Sequence, residues 1–389
     1  MHLLLAFDKF KDSMTATRAC EAAESGVRSA LGAQVGVEHA PLTDGGEGFC
    51  RILTEAADGY IEYHPVTGPT GEEIDAPIGW VESDSLSGDA KQRLGQPRGR
   101  IAVIEMASVA GLEQVPVPQR HPGHCTTCGV GELIRIAAAE DAGAILLGIG
   151  GSATSDLGLG ALESMGLRLG SAGITYPADW PTIEAIDGAL DFQPPAIHIA
   201  CDVSNPLLGP NGAAAVYGPQ KGLRPEEIEP FDAEARRMAQ LLCRHFNRRE
   251  DLPAAPGCGA AGGIGFGLKA ACGASFVPGF ELVSSWLDLP ARLGRADLVL
   301  TGEGKFDRSS LSGKGPYALL QAAHKASKPA ILLAGIFDDA ARQALKENFS
   351  GVEAFAITPK QMPLEEALMR GAENLELQVH SALLKLAGK

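Results

Sequence analysis

Residues 144–158 read AILLGIGGSATSDLG, an apolar strand that runs directly into a turn of small residues and then into a helix that begins near Leu159. Glycines in such a turn permit positive φ and let main-chain N–H groups approach a ligand closely. Hydroxyl side chains and the start of the following helix add further donors. The segment therefore predicts an anion site at the carboxyl end of a strand, with an ordinary strand-to-helix turn as the alternative. The residues concerned are Gly148, Gly150, Gly151, Ser152, Thr154 and Ser155.

Strand-like and helix-like runs alternate along the chain, which is the pattern of parallel α/β sheets. Near the amino terminus we predict a strand over 2–7, a helix over 15–31 with Ser13 as its N-cap, and a strand over 34–41. Near the carboxyl terminus we predict strands over 297–301, 329–334 and 352–357, with a closing helix over 363–386. In between, residues 60–81 are typical of a β ribbon and residues 83–100 of a surface loop.

The domain organisation follows from this order of elements. At 389 residues the chain is long enough for two domains. Because the late strands can complete the sheet begun at the amino terminus, the middle of the chain is predicted to be an inserted domain. The predicted fold is α/β, with one discontinuous parallel-sheet domain over 1–66 and 290–389 and an inserted α/β domain over 67–289.

Charge and hydropathy limit the kinds of partner. The chain has 33 Lys and Arg residues against 48 Asp and Glu residues, a formal net charge of −15. Such an acidic surface repels nucleic-acid phosphates and anionic lipids. The apolar run at 2–7 is too short for a signal peptide, and no apolar run approaches the length of about 18 residues that spans a bilayer. We expect a cytoplasmic protein with a small-molecule substrate, without nucleic-acid or membrane partners, and with a homo-oligomer left open.

The eight cysteines lie mostly within apolar segments, where a free thiol behaves as a small hydrophobic side chain. Cys125 and Cys128 form a Cys-Thr-Thr-Cys motif preceded by His121 and His124, a pattern that could indicate zinc or a redox pair. No second ligand pair follows at the spacing of a zinc finger. We therefore expect reduced thiols in an ordinary loop.

The glycine turn also partly matches a dinucleotide fingerprint. Gly148, Gly150 and Ala153 satisfy a relaxed G-x-G-x-x-[GA] pattern, which would suggest a nicotinamide-dependent dehydrogenase of hydroxy acids. That fingerprint also needs an acidic residue about 20 positions later, and residues 167–177 contain no Asp or Glu. The P-loop pattern is absent too, so a nucleotide would bind here through another loop design.

Further loops combine charged or polar residues with glycines beside a predicted strand end or turn: residues 8–13, 44–48, 201–206, 217–222 and 301–307. Residues 8–13 could instead be a solvated loop, residues 44–48 a helix cap, and residues 201–206 the start of a turn. Acidic side chains in such loops suit Mg²⁺, which takes one or two protein carboxylates plus phosphate oxygens and water. Phosphoryl transfer needs these kinds of group: donors and cations for the phosphates, acids for the metal, and an acid that orients the substrate hydroxyl.

Several runs of the sequence, taken in order, carry a family resemblance: FDKFKDSMTA, PLTDGGEGF, VTGPTGE, AVIEMASVAGL, GVGELI, GIGGSATSDLG, ACDVSNPLLGPNGAAAVYGPQKG, GAAGGIGFGL, ADLVLTGEGKFD and SGKGP. Over essentially its full length the chain resembles the bacterial glycerate kinase family, of the glycerate 2-kinase type. Lys9 and Ser155 stand where that family usually has serine and asparagine.

The resemblance implies ATP-dependent phosphorylation of D-glycerate, usually to 2-phosphoglycerate, with ATP as co-substrate and Mg²⁺ as the metal. It also implies two α/β domains, one of them Rossmann-like and built from both chain ends, with the active site in the cleft. A kinase of a related acid such as erythronate or tartronate remains an alternative. The dehydrogenase and a non-catalytic binding module are further alternatives.

Within that framework we expect Asp202 to orient the attacking hydroxyl, with Asp156 as the second choice. Lys11 and Lys221 are expected to neutralise the transferring phosphate or the substrate carboxylate. The carboxylates expected near the metal are Asp44, Glu47, Glu303 and Asp307. The residues expected to bind substrate or nucleotide are Asp8, Gly45, Gly46, Gly150, Gly151, Ser152, Thr154, Asn205, Gly262, Gly263 and Lys305.

Overall fold

The structure of the chain is a computed structural model that describes residues 1–170, 173–312, 315–349 and 351–387. The strands of these residues are β1 (His2–Phe7), β2 (Gly36–His39), β3 (Tyr60–Thr67), β4 (Glu73–Glu82), β5 (Arg100–Glu105), β6 (Ala144–Gly148), β7 (Leu167–Arg168), β8 (Asp187–Gly188), β9 (Ala196–Ala200), β10 (Ser275–Val277), β11 (Leu298–Phe306), β12 (Ala330–Phe337) and β13 (Val352–Ala356). Their α-helices are α1 (Ala16–Leu31), α2 (Phe49–Ala56), α3 (Gly88–Arg93), α4 (Ala107–Ala110), α5 (Cys128–Ala139), α6 (Leu159–Ser164), α7 (Ala213–Tyr217), α8 (Pro225–His245), α9 (Ile264–Cys272), α10 (Gly279–Trp286), α11 (Leu289–Arg295), α12 (Gly315–Lys325), α13 (Asp339–Asn348), α14 (Leu364–Met369) and α15 (Gly371–Ala387).

The described residues divide into two compact units. The first unit is formed by residues 1–44 together with 283–389, and the second unit by residues 45–282. The boundaries predicted from the sequence followed residues 66 and 289. The first division comes earlier because β3 pairs with β4, and α2 packs against β4 and β5. This stretch therefore belongs to the second unit.

The first unit is built on a five-stranded sheet in the order β13-β12-β11-β1-β2. All neighbouring pairs in it are parallel, so strands from both ends of the chain form one sheet, and the predicted α/β class is confirmed. Numbered within the unit, this is the order 2-1-3-4-5 of a doubly wound sheet, in which the connections reverse between β1 and β11. Ligands of such sheets bind at the carboxyl ends of the strands beside that reversal.

Continuous apolar runs explain why β1 is central in this sheet. It reads HLLLAF, and its residues from Leu3 to Phe7 are fully buried, as expected for a parallel strand with both faces covered. Apolar residues of β1, β11 and β12 share one core with α1 and α15. The two helices touch at Gly26, where a Cβ atom would lie 2.4 Å from the Glu376 carbonyl oxygen, so a larger residue would separate them.

The second unit contains a six-stranded sheet in the order β10-β9-β6-β5-β4-β3. Strands β10, β9, β6 and β5 are parallel, whereas β4 runs antiparallel to both β5 and β3. The predicted β ribbon over 60–81 is thereby confirmed as the β3–β4 hairpin. The strand predicted at 144–148 is also confirmed, and as β6 it carries the following glycine turn at its carboxyl end.

Two helix predictions differ from the structure. Thr15, not Ser13, caps α1, because the Thr15 hydroxyl accepts a hydrogen bond from Arg18 N at 3.2 Å, while the Ser13 hydroxyl donates to Leu368 O at 2.6 Å. The predicted closing helix divides at Arg370 into α14 and α15. None of the helices in the described ranges is long and apolar enough to cross a membrane.

Two loop predictions differ as well. The expected surface loop over 83–100 contains the short helix α3, whose first turn is capped by the Ser87 hydroxyl. The strand predicted to end at Thr301 continues as β11 to Phe306, because β12 pairs with it up to Phe337. Glu303 and Lys305, expected in a loop, therefore lie on a strand.

Candidate functional site

Two glycine turns of the second unit lie backbone against backbone. Gly150 N donates a hydrogen bond to Gly45 O at 2.9 Å. A Cβ atom at Gly150 would lie 2.7 Å from Gly46 N, so the approach requires glycine. Gly45 and Gly151 have positive φ values of 88° and 71°, which glycine adopts without strain.

A third glycine turn, residues 257–263, packs against the same segment. Leu157 N donates to Gly262 O at 3.0 Å, and a Cβ atom at Gly262 would lie 2.1 Å from Thr154 O. We call the turns 45–48, 148–158 and 257–263 the glycine-turn cluster. It brings together many of the residues expected to bind substrate or nucleotide: Gly45, Gly46, Gly150, Gly151, Ser152, Thr154, Gly262 and Gly263.

Asp156 organises the central turn from inside the protein. Its carboxylate accepts hydrogen bonds from Thr127 N and Thr127 Oγ1, both at 2.8 Å, and from Gly158 N at 3.0 Å and Gly160 N at 3.2 Å. Burial raises the pKa of Asp156, and these hydrogen bonds oppose the rise. The next residue, Leu157, is buried with a φ of 59°, a strained backbone for a branched side chain. Through Gly158 N, the Asp156 carboxylate fixes the backbone directly after Leu157.

Lys221 lies beneath the same turn. Its side chain is buried, and Nζ donates to Ser152 Oγ at 2.8 Å and to Thr154 O. Burial lowers the pKa of Lys221 to about 7, although the negative charge of Asp156 acts in the opposite direction. The ammonium therefore changes its charge near neutral pH, and a nearby anion would favour its protonated form.

Two hydroxyls in this turn are buried without a hydrogen-bond partner among the described residues. They are Thr154 Oγ1 and Ser155 Oγ, on side chains that are 0% and 2% exposed. An unpaired buried hydroxyl typically costs about 1–3 kcal/mol. The turn is therefore not arranged for maximal stability.

The first unit carries a second polar group, formed by residues that follow β1 and β2 and by Glu303 within β11. Burial raises the pKa of Asp8 to about 8, and the charges of Asp44 and Glu303 add to the rise, while Lys9 opposes it. Lys9 N donates to Asp8 Oδ1 at 2.7 Å, and Lys9 Nζ lies 3.6 Å from Asp44 Oδ1. We call Asp8, Asp44 and Glu303 the carboxyl cluster.

The carboxyl cluster fits Mg²⁺ by the chemistry of its donors. Carboxylate oxygens are the ligands this ion prefers, and mutual repulsion of the type that raises the pKa of Asp8 is relieved by a bound cation. Within the described residues no three His, Cys, Asp or Glu side chains form a ready metal site. Because Mg²⁺ usually takes only one or two protein carboxylates, with phosphate and water completing its shell, such a site is not required.

Comparison with known proteins identifies the family. A family model described as the glycerate kinase family matches residues 3–386. The chain belongs to the glycerate kinase family. It is 36% identical over 382 residues to a glycerate kinase of Halalkalibacterium halodurans, covering 96% of this chain and 95% of that protein.

Two further similar proteins are also described as glycerate kinases. The chain is 35% identical over 382 residues to the glycerate 2-kinase of Escherichia coli, covering 96% of this chain and 95% of that protein. A crystal structure from Salmonella typhimurium, described as glycerate kinase 2, is 38% identical, with a TM-score of 0.76 and coverage of 100% of this chain and 98% of that one.

Asp202 and Asn205 of this glycerate kinase family member lie near the carboxyl end of β9 and already have partners. Asp202 is exposed, and its two oxygens accept from Gly279 N at 2.8 Å and Phe280 N at 3.0 Å, at the start of α10. Asn205 donates to Asn211 O at 2.9 Å and accepts from the Tyr217 hydroxyl at 2.8 Å. Both side chains therefore hold loops together, whatever else they do.

Three further predicted residues, Lys11, Lys305 and Asp307, belong to the first unit. Lys305 is 61% exposed and lies 3.2 Å from Asp307, whose carboxylate also accepts from Ser309 N at 2.8 Å. The hydrogen bond from the Ser309 side chain is the main reason that the pKa of Asp307 is lowered. Lys11 is exposed. Residues 313 and 314 of the SGKGP run lie outside the described residues.

Glu47, another predicted metal ligand, belongs to the glycine-turn cluster. A Cβ atom placed on Gly151 would lie 2.4 Å from Glu47 Oε1, so this carboxylate lies against the turn. It is in the second unit, whereas Asp44 is in the first. The role of Glu47 as a metal ligand stays a prediction.

Two residues that hold the glycine turns by hydrogen bonds were not identified from the sequence. Thr127 donates twice to Asp156, but its Cys-Thr-Thr-Cys motif drew attention only to the cysteines. Glu105 ends β5 and accepts from Cys50 N at 3.0 Å. An acidic residue that ends a buried strand is the signal that could have identified it.

Proposed function

We propose that the chain transfers the γ-phosphoryl group of ATP to D-glycerate and that the product is 2-phospho-D-glycerate. Family membership supports glycerate as the substrate, and the name of the Escherichia coli relative supports the 2-hydroxyl as the acceptor. The observation that carries the proposal is the glycine-turn cluster, because a backbone built for close approach and underlain by a buried lysine suits an anionic ligand.

In this proposal the main chain of the 148–158 turn binds an anionic group of ATP or glycerate. Gly151 is exposed and Gly150 half-buried, so their surroundings are open to a ligand. Lys221 and Asp156 do not touch the ligand, because both are buried and already hydrogen-bonded to the turn. They hold its shape, and protonated Lys221 adds positive charge beneath it.

The carboxyl cluster is the proposed metal site. Asp8, Asp44 and Glu303 would hold Mg²⁺, which in phosphoryl transfer neutralises negative charge on the phosphate oxygens. Lys9 restrains Asp44, with which it pairs at 3.6 Å. Lys11 and Lys305, which are exposed, are proposed to contact phosphate groups.

Asp202 is the proposed acid that orients the attacking hydroxyl of glycerate. It is exposed, so a substrate can reach it, whereas Asp156 is 1% exposed and accepts four hydrogen bonds. The bonds from Gly279 N and Phe280 N would fix the direction of the Asp202 carboxylate. A fixed acceptor pre-orients the hydroxyl for attack.

The direct test incubates the protein with Mg-ATP and D-glycerate, follows ADP release, and identifies the product by ³¹P NMR. We expect ADP and 2-phosphoglycerate in equal amounts. Formation of 3-phosphoglycerate would contradict the proposed position. ADP release with erythronate or tartronate but not with glycerate would change the substrate, and NADH formation from NAD⁺ without ATP would change the reaction class.

A further inference from the structure

Glu105 is a buried carboxylate that the proposed chemistry does not use. It is the last residue of β5, is 6% exposed, and pairs in register with Gly148, where the central glycine turn begins. Cys50 N donates to its Oε2 at 3.0 Å, and Gly48 and Ser108 also hydrogen-bond to its side chain. The carboxylate therefore connects the 45–48 turn to the strand edge from which the 148–158 turn departs.

The start of α2 explains why a carboxylate is needed there. The N-cap of this helix is Gly48, with a φ of 92° and no side chain that could cap the first amides. Amides at the start of a helix need acceptors, and the positive end of the helix dipole favours an anion. Glu105, 55 residues further along the chain from Cys50, supplies the acceptor. Burial raises the pKa of Glu105, and the hydrogen bonds from Cys50, Ser108 and Gly48 oppose the rise. The acceptor at the start of α2 thus belongs to the protein itself.

The contact between Glu105 and Cys50 N limits which amides an external ligand can use. The Cys50 amide is occupied by Glu105, so this amide is not available to a phosphate or carboxylate. An external anion is therefore proposed to use donors of the 148–158 turn. That turn is tied to the first by Gly150 N, which donates to Gly45 O, and Met106 N next to Glu105 donates to Gly148 O at 2.9 Å.

We propose that Glu105 is a positioning residue that holds the 45–48 turn against the 148–158 turn and thereby fixes the donors presented to the anionic ligand. The expected effect on kcat rests on the proposed kinase function, whereas the expected hold of Glu105 on the 45–48 turn does not. Loss of the carboxylate leaves the Gly48 and Cys50 amides without their acceptor, and the turn shifts relative to Gly150.

The test compares Glu105→Gln and Glu105→Ala with Glu132→Gln. Glu132 is a matched control because it also holds a backbone amide and a hydroxyl, those of Thr67, at 2.6 and 2.9 Å. We measure kcat and KM for glycerate and ATP, thermal unfolding, and amide hydrogen exchange. In Glu105→Gln we expect kcat to fall about tenfold, with a larger fall in Glu105→Ala, while Glu132→Gln stays within about threefold of wild type.

Amide hydrogen exchange tests the structural role of Glu105 without relying on enzymatic activity. Amides of residues 45–52 should exchange at least about tenfold faster in both Glu105 variants, and only the Thr67 region should respond in Glu132→Gln. Unchanged exchange at 45–52 would overturn the proposal. Faster exchange with wild-type kcat and KM would also overturn it, because the turn would then not position the ligand. If the wild type does not phosphorylate glycerate, the proposed function fails, and exchange still decides whether Glu105 holds the turn.

Discussion

The ammonium group of Lys221 donates a hydrogen bond to the Ser152 hydroxyl at 2.8 Å, from a side chain that is 2% exposed. A lysine buried in this way keeps its charge only at a cost, and its pKa falls to about 7. Charge beneath an anion-binding turn is useful during binding and unfavourable without a ligand. The stability of the protein should therefore depend on the protonation of this one residue.

Lys221→Met, which keeps the length of the side chain but removes its charge, should change the pH dependence of stability. Because the folded-state pKa lies below the unfolded value of 10.5, the unfolded chain binds more protons between about pH 7 and pH 10. Wild-type stability should rise over that range relative to the variant, by at most about 1.4 kcal/mol per pH unit. Urea unfolding of both proteins from pH 7 to 9 measures the difference, and a constant difference would mean that Lys221 titrates normally.

Asp8 should show the opposite dependence. Its folded-state pKa of about 8 lies above the unfolded value, so its contribution to stability is present at low pH and is lost as the pH rises towards 8. Asp8→Asn should therefore gain stability relative to wild type as the pH increases from 5 to 8. The unfolding free energies of the two proteins, measured across that range without divalent cations, provide the check.

Addition of Mg²⁺ should stabilise the wild type more than Asp8→Asn. A cation that binds the folded carboxyl cluster raises the melting temperature through mass action. Without the Asp8 carboxylate, Mg²⁺ should raise the melting temperature of Asp8→Asn less than that of wild type at pH 8. Na⁺ at equal ionic strength serves as the control for charge screening. An equal Mg²⁺ effect on both proteins would remove Asp8 from the proposed metal site.

The predictable parts of this fold are those encoded by short stretches of the sequence. The apolar run of β6 and the small residues after it predicted the strand, the turn and the helix start at Leu159 with little error. The partners of Glu105 and Asp202 lie 55 and 77 residues away, and no local pattern encodes such contacts. Likewise, Gln-Lys-Gly places a lysine on a glycine turn, but only the packing of other elements around Lys221 buries it.

Asp202→Asn separates the two roles that remain for Asp202. If its carboxylate orients the glycerate hydroxyl, kcat should fall by roughly 10²-fold or more. If it only caps α10, the variant should lose stability on the order of 1 kcal/mol, because the single amide oxygen can accept from only one of the two amides. Its kcat should then stay unchanged. Steady-state kinetics and urea unfolding of the same preparation decide between them, and a kcat within about threefold of wild type excludes the catalytic role.

Gly150→Ala tests whether the glycine-turn cluster needs its close backbone contact. The new Cβ atom would lie 2.7 Å from Gly46 N, and Glu105 holds the helix start that follows this turn, so the 45–48 turn cannot move aside freely. We expect the free energy of unfolding to fall by about 1–3 kcal/mol, as for other overpacked sites. We also expect kcat/KM to fall at least tenfold, because a misplaced donor can lower the rate by about 10²-fold. Gly88→Ala is the control, since nothing lies within 4 Å of its added Cβ atom. If both variants bind and turn over glycerate like the wild type, the contact between the two turns is not what the ligand requires.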